Sequence, residues 1–307
     1  TSHKIFIVIY FLTNLISKMK KILIILITLL ISANTAVANE KFQFRYNIDD
    51  SLPKKWVVEF NNVMNILQEV LPINENTNNW VKREIKRDKP FNIYAWKRSK
   101  NPFKEFTMGS GSGVRSDARG RWMQLDINFS EKNRSYSVIV HEYFHVYQIA
   151  LSEDKIYDRH SPKWLSEGGA TVLQEIYAKQ YYGKDHLKKD LQNRERWSSK
   201  VFKNPKLYEK YGTSNKKGMD GNYAGSTFMV LALVNELKKN NISEQKAFEL
   251  VFREFWIQRA KTSTWIPAFK QTFEMSWDEF YERLSKYKRK DLKKILPSKT
   301  LKIQDIF

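Results

Sequence analysis

The spacing of hydrophobic residues changes along the chain, and the change predicts where strands give way to helices. Apolar and polar residues alternate from Phe42 to Ile48, which predicts a half-buried strand. Apolar residues then recur every three or four positions over residues 54–71, which predicts an amphipathic helix. Further short strands are predicted at 91–96, 103–108 and 121–129.

Beyond residue 129 the pattern is almost wholly helical. Start and stop signals support several of these helices: Ser161 with Pro162, Gly183, and Ser276 with Glu279. Because the strands lie in the first half and the helices in the second, we predict an α+β fold. In one domain spanning 39–307, a mixed helix and small-sheet part (39–130) precedes a mainly α-helical part (131–307). The predicted helices span 134–151, 162–182, 223–239, 243–261, 266–273 and 277–288.

The N-terminal region has the features of a secretory signal peptide. Residues 19–38 combine a start methionine, two lysines, an apolar run and the small residues Ala36-Val37-Ala38. This pattern predicts cleavage after Ala38 and export to the periplasm or the extracellular space, with residues 1–18 as an upstream extension. A membrane hairpin that uses residues 5–16 as its first span is the alternative. It is less favoured because both apolar runs are shorter than the roughly 20 residues of a span.

Composition and charge narrow the range of partners. The chain has a net charge of +20, and removal of residues 1–38, with four lysines and no acidic residue, leaves +16. That charge would suit an anionic envelope surface, nucleic acid or an acidic substrate. The lysines are spread along the chain, as an overall abundance of Lys, Asn and Ile would produce, so a compositional origin of the charge is favoured. An anionic envelope surface stays a candidate partner, whereas nucleic acid is disfavoured because no binding motif for it is recognised. The absence of cysteine excludes disulfides and thiolate metal ligands.

One short motif carries most of the chemical information, His141-Glu142-Tyr143-Phe144-His145. Residues four apart lie on one face of a helix, so the two imidazoles can bind one Zn²⁺ from the same side. Glu142 then lies near the open position of the metal, where it can take a proton from water. The flanking residues are apolar, and a buried helix needs a reason to carry ionisable groups. The alternative is a pair of core histidines bonded to backbone.

A catalytic zinc needs a third protein ligand and an exchangeable water. The class of site with a third histidine six residues after the second is excluded, because Leu151 occupies that position and Gln148 replaces its glycine. Glu167, in a second predicted helix, is the favoured ligand, and the following Gly168 and Gly169 permit close helix contact. The alternatives are His160, Asp154 and Asp158, and Glu175 is a candidate partner of the ligands.

These motifs are similar to those of the gluzincin metallopeptidases. The stretches 223–226 and 273–280 resemble the bacterial peptidase MA-like branch of that clan, and the resemblance covers about 121–287. It implies a zincin-like catalytic region that binds zinc through His141, His145 and Glu167, with Glu142 as general base and later acid. It further implies that Tyr223 donates to the oxyanion and that the strand 121–129 pairs with an extended peptide substrate. The Gly-x-Met-Glu-Asn signature of gluzincin aminopeptidases is absent, which disfavours that exopeptidase activity.

The sequence therefore predicts a secreted zinc peptidase that hydrolyses peptide bonds in a peptide or protein substrate, through a zinc-bound water activated by Glu142. A metal hydrolase with a different substrate would use the same residues. The alternative outside enzymes is a non-catalytic, cationic, envelope-associated binding protein with a structural metal. Glu142 disfavours that alternative, because a structural zinc gains nothing from a neighbouring base.

Overall fold

The computed structural model of the chain describes residues 42–71, 91–98, 100–103, 111–117, 120–129, 136–155, 161–188, 191, 204–210 and 219–307. Lys41–Phe307 forms one compact unit. The predicted signal peptide and its cleavage site lie outside the described residues, as does all but Phe103 of the strand predicted at 103–108. None of the helices described here is both long enough and apolar enough to span a membrane.

A four-stranded sheet has the strand order β1-β2-β4-β3. The strands β1 to β4 span Phe44–Ile48, Phe91–Lys97, Gly113–Asp117 and Gly120–Ile127. The β1–β2 and β2–β4 pairs are parallel, and the β3–β4 pair is antiparallel. Parallel neighbours need a crossover connection, and the chain between β1 and β2 contains helix α1, Lys54–Val70.

The position of β4 corrects one expectation. Residues Trp122 to Gln124 pair with β2 on one side and with β3 on the other. The strand 121–129 was expected to pair with an extended substrate, and this is wrong because both of its edges are already bonded there. Among the described strands, the outer ones are β1 and β3. The sequence did not predict β3, because its only buried apolar residue is Val114.

The second half of the described chain is helical, so the α+β fold class is confirmed. The two helices with candidate metal ligands are α2, Ser137–Leu151, and α3, Lys163–Tyr182. A π-helical turn, Leu250–Glu254, interrupts the long helix predicted over 243–261. The other helices are α4, Met219–Lys239; α5, Glu244–Glu249; α6, Phe255–Ala260; α7, Trp265–Phe273; and α8, Trp277–Ser285. Turns of 3₁₀ helix span Pro205–Tyr208, Arg289–Lys293 and Ile303–Asp305.

The predicted helix ends are partly confirmed. Gly183 ends α3 with a left-handed φ of 63°, a conformation that favours glycine. The Ser276 hydroxyl accepts a hydrogen bond from the Glu279 amide at 3.1 Å at the start of α8. Ser161 was expected to cap α3, and this is wrong, because its hydroxyl donates to the Lys155 carbonyl (2.6 Å) and accepts from Arg259 Nε (3.1 Å). Ser161 therefore links Lys155, just after α2, to Arg259 of α6 instead.

Helix α2 lies at the centre of the unit. It packs against β3, β4, α1, α3 and α6, and every residue from Ile139 to Leu151 is buried. The apolar flanks of the histidine motif predicted this burial. The surrounding elements therefore exclude bulk solvent from most of the helix that carries both histidines.

Candidate metal centre

Four polar side chains lie within the buried part of α2. His141, Glu142, His145 and Gln148 retain only 9%, 6%, 7% and 0% of their exposure. Burial of a polar or charged group costs free energy unless the group has a partner. The partners of these four side chains therefore indicate what the site can do.

The third candidate ligand, Glu167, comes from α3, and the two glycines after it set the position of that helix. A Cβ on Gly168 would lie 2.3 Å from the Ser226 carbonyl oxygen of α4. A Cβ on Gly169 would lie 3.3 Å from Cε1 of Phe144 in α2. The glycines thus allow α3 to pack closely against both neighbouring helices, which confirms the prediction of close helix contact.

Three side-chain atoms, from His141, His145 and Glu167, converge. The two histidine Nε2 atoms are 3.2 Å apart, and each lies 3.3 Å from Oε2 of Glu167. A tetrahedral ion with bonds of about 2.0–2.1 Å separates its ligand atoms by about 3.3 Å. This buried triangle has the size that such an ion requires, and the group can therefore hold a metal ion.

The charges of the three groups favour a positive centre. Burial tends to raise the pKa of the Glu167 carboxyl, but the charge of His145 and hydrogen bonds from both imidazoles hold it well below its usual range. Burial tends to lower the pKa of His145, but interactions with Glu167, Glu142 and Gln148 raise it to about 9. The carboxylates thus stabilise a positive charge between them, and either a proton or a metal cation can supply it.

Glu142 lies beside the triangle without belonging to it. Its Oε2 atom is buried and has no hydrogen-bond partner among the residues that the structure describes. Burial raises the pKa of the Glu142 carboxyl, although the nearby His141 and His145 act in the opposite direction. A carboxylate with a raised pKa and an unused oxygen can exchange a proton with a water or a leaving group.

Sequence reasoning missed Gln148, which contacts the site directly. Its Oε1 atom accepts a hydrogen bond from His145 Nδ1 at 2.8 Å, and its Nε2 atom donates to the Ser166 carbonyl at 3.2 Å. Two signals could have identified it: it follows His145 by one helical turn, and a glutamine inside an apolar helix needs partners. In the sequence, position 148 stands out only as the one where another class of site carries glycine.

Tyr223, in α4, lies against the first ligand. Its ring centroid is 6.1 Å from that of His141, with the planes at 66°. Two residues further along α4, Gly225 packs closely against Tyr208, since a Cβ on Gly225 would lie 2.2 Å from Cε1 of Tyr208. The structure therefore places Tyr223 next to the ligand group.

Of the alternative ligands, Asp154 is the one that the structure describes, and it is not in this group. Asp154 forms an ion pair with Arg121, at 3.0 Å between Oδ1 and Nε. Glu175, a candidate partner of the ligands, instead lines a cavity of about 390 Å³ with Lys179 and Leu301. In the described part of the chain the metal-binding group consists of His141, His145 and Glu167. The other two alternatives, Asp158 and His160, lie outside the described residues.

Comparison with known proteins finds no match for this chain among family models, curated proteins or solved structures. The candidate centre is therefore characterised by the chemistry of its own residues. These are a triangle of two imidazole nitrogens and one carboxylate oxygen, a buried carboxylate beside it, and an adjacent tyrosine ring.

Proposed function

We propose that this chain is an exported zinc-dependent peptidase of the gluzincin type, in which His141, His145 and Glu167 bind the metal and Glu142 is the catalytic base. The observation that carries the proposal is a buried carboxyl, Glu142, that interacts electrostatically with all three ligand residues without being one of them. A structural zinc site fills its four positions with protein ligands, whereas a catalytic site keeps one for water or substrate. A base has a chemical use only beside the second kind of site.

Zinc is the metal that the donor set favours. Two imidazoles and one carboxylate form a ligand set found in catalytic zinc sites. Mg²⁺ and Ca²⁺ prefer sites built from oxygen ligands, so the two histidines disfavour them. The edges of 3.2–3.3 Å fit the short bonds of tetrahedral zinc.

The residues around the metal have separate roles in peptide hydrolysis. When bound, zinc supplies Lewis acidity, which lowers the pKa of a coordinated water and polarises the substrate carbonyl. Glu142 accepts a proton from the attacking water through its buried Oε2 atom. Its raised pKa then favours holding that proton until it passes to the leaving amine nitrogen. Tyr223, beside His141, donates a hydrogen bond to the substrate oxyanion.

We assign substrate pairing to β3 in place of β4. An extended peptide adds to a sheet through main-chain hydrogen bonds at an outer strand. Of the two outer strands in the described sheet, β3 (Gly113–Asp117) packs against α2 and carries Arg115, whose charge acts on the Glu142 carboxyl. A peptide bound along β3 would run next to the proposed catalytic base.

A peptide-library digest tests the proposed function. Zinc-loaded protein beginning at Asn39 is incubated with the library, and new peptide termini are identified by mass spectrometry. Cleavage is expected to stop with a chelator and to return when zinc is added. Glu142→Gln protein, purified in parallel, controls for contaminating peptidases. The proposal is overturned if the zinc-loaded protein cleaves no peptide, or if the Glu142→Gln protein produces the same termini at the same rate.

A further inference from the structure

One amide side chain connects the two helices that carry the candidate ligands. Gln148, which is fully buried, receives a hydrogen bond from His145 and donates one to the Ser166 carbonyl. Ser166 directly precedes Glu167 in α3. The Gln148 side chain therefore links one ligand on α2 to the backbone beside another ligand on α3.

The first hydrogen bond determines which imidazole nitrogen of His145 keeps its lone pair. The Gln148 amide nitrogen is directed at the Ser166 carbonyl, so the amide oxygen faces His145 Nδ1 and can only accept. His145 Nδ1 must then carry the proton, and the Nε2 lone pair remains free in the neutral ring. Nε2 is the atom that faces the triangle, 3.3 Å from Oε2 of Glu167.

The second hydrogen bond needs an amide in particular. A carboxylate at position 148 would have no donor for the Ser166 carbonyl, and it would bring a third negative charge close to Glu142 and Glu167. The amide packs against α3, since a Cβ on Gly169 would lie 3.5 Å from Gln148 Nε2, an ordinary contact distance. Glutamine thus satisfies both neighbours without adding charge.

We propose that Gln148 is a positioning residue, which holds His145 in the Nδ1-protonated form and aligns α2 with α3 so that His145 and Glu167 meet at one metal ion. Partners of this kind orient metal-bound histidines, and their loss typically lowers metal affinity about 10- to 100-fold. The inference rests on the proposed metal site, but it does not depend on peptidase activity.

Gln148→Met tests this role, because methionine has a similar length and neither the donor nor the acceptor of the amide. We expect the zinc dissociation constant, measured by competition with a chromogenic chelator, to rise about 10- to 100-fold. Ser152→Ala is the matched control, since Ser152 is also fully buried and follows the last residue of α2. Zinc affinity in the control is expected to stay within about threefold of the unmodified protein, because the Ser152 hydroxyl donates to the Ile149 carbonyl and not to a candidate ligand. A dissociation constant for Gln148→Met within that same range would overturn the proposal.

A second measurement uses the unmodified protein, so its outcome does not depend on whether the Gln148→Met variant folds. In unmodified zinc-loaded protein labelled with ¹⁵N-histidine, the hydrogen bond to Gln148 should give His145 a downfield, slowly exchanging Nδ1–H signal. A His145 Nδ1–H signal that exchanges rapidly and lies at the shift of a solvent-exposed ring, or a ring protonated on Nε2, would overturn the proposal. Zinc binding without peptide cleavage would refute only the peptidase function, whereas failure of the unmodified protein to bind zinc would refute the metal site itself.

Discussion

Gly168 lies directly against the backbone carbonyl of Ser226, so that a Cβ on Gly168 would stand only 2.3 Å from the carbonyl oxygen. This contact joins α3 to α4 one residue after Glu167 and three residues after Tyr223. A backbone carbonyl inside a helix cannot move aside as a flexible side chain can. The distance between α3, which carries Glu167, and α4, which carries Tyr223, therefore depends on position 168 being a glycine.

Gly168→Ala should destabilise the protein and weaken zinc binding. Alanine favours a helix over glycine by about 1 kcal/mol, but overpacking against a rigid neighbour costs about 1–3 kcal/mol or more. Displacement of α3 also moves Glu167 away from the histidines. Urea unfolding of the metal-free protein and zinc retention after dialysis measure the two effects.

Gly169→Ala is the matched control for that substitution. The nearest atom to its Cβ is Cε1 of the Phe144 side chain at 3.3 Å, and a side chain can give by a few tenths of an ångström. We expect a clearly smaller loss of stability than for Gly168→Ala. Equal stabilities of the two variants would show that the Ser226 contact does not determine the helix spacing.

The local parts of the site were predictable, and the contacts between distant segments were not. The four-residue spacing of His141 and His145 depends only on helix geometry, so the sequence alone was enough to place both on one face. By contrast, Gly168 revealed a need for close packing but not its partner, since Ser226 lies 58 residues further along the chain. Pairing between distant segments depends on the whole fold.

The same holds for the sheet, where the local pattern of a strand was predictable and the pairing between strands was not. The alternation of apolar residues in β4 predicted a strand, but not that β2 and β3 occupy its two sides. The strand β3 escaped prediction because hydrogen bonding to β4, and not apolar alternation, makes Gly113–Asp117 extended. This omission led to the wrong assignment of the substrate-binding edge.

Glu167→Ala should release zinc far more readily than Glu175→Ala. Glu167 supplies one corner of the ligand triangle, whereas Glu175 lines a separate cavity with Lys179. Both residues lie on α3, so the pair controls for general damage to that helix. Zinc content is measured by atomic absorption after dialysis against a mild chelator. Equal zinc retention in the two variants would exclude Glu167 as a ligand and make Asp158 and His160 the candidates for the third ligand.

Tyr223→Phe should lower kcat about 10²-fold and leave KM nearly unchanged. The tyrosine hydroxyl is proposed to donate only to the charge that develops in the transition state, and loss of one such donor typically has this magnitude. The phenyl ring keeps the edge contact with His141, so folding and zinc content should not change. Steady-state kinetics on a peptide cleaved by the unmodified protein decide the question. Full activity in Tyr223→Phe would make Tyr223 a packing residue.

Zinc affinity should rise with pH up to about 9. Because the pKa of His145 is raised from 6.5 to about 9 in the metal-free protein, the ring is protonated at pH 7 and must lose that proton to bind zinc. Glu167 has a lowered pKa and is already ionised, so it adds no dependence in this range. The apparent affinity should increase by roughly tenfold per pH unit between 7 and 9 and level off above 9. Chelator competition across this range measures it, and a flat profile would mean that His145 is neutral before zinc arrives.

Glu142→Gln should give a folded, zinc-loaded and inactive protein. Glutamine keeps the size of the side chain, and the three ligand atoms that form the triangle are untouched. The substitution removes the proton acceptor, and loss of a general base typically costs about 10²–10⁴-fold in rate. The effect should fall on kcat/KM while zinc stoichiometry stays at the level of the unmodified protein. Peptide cleavage and metal content are measured on the same preparation.

The results for Glu142→Gln distinguish the proposed catalytic role of Glu142 from two alternatives. The alternative of a binding protein with a structural metal predicts no functional change, because the Glu142 carboxylate then has no proton to move. Loss of zinc from Glu142→Gln would instead identify Glu142 as a ligand, which contradicts its position outside the triangle. Burial of the carboxylate costs free energy in a metal-free core, so an unchanged or higher melting temperature for Glu142→Gln is expected from its raised pKa. A variant that is both more stable and inactive would show that the chain keeps this buried carboxylate for chemistry at the expense of stability.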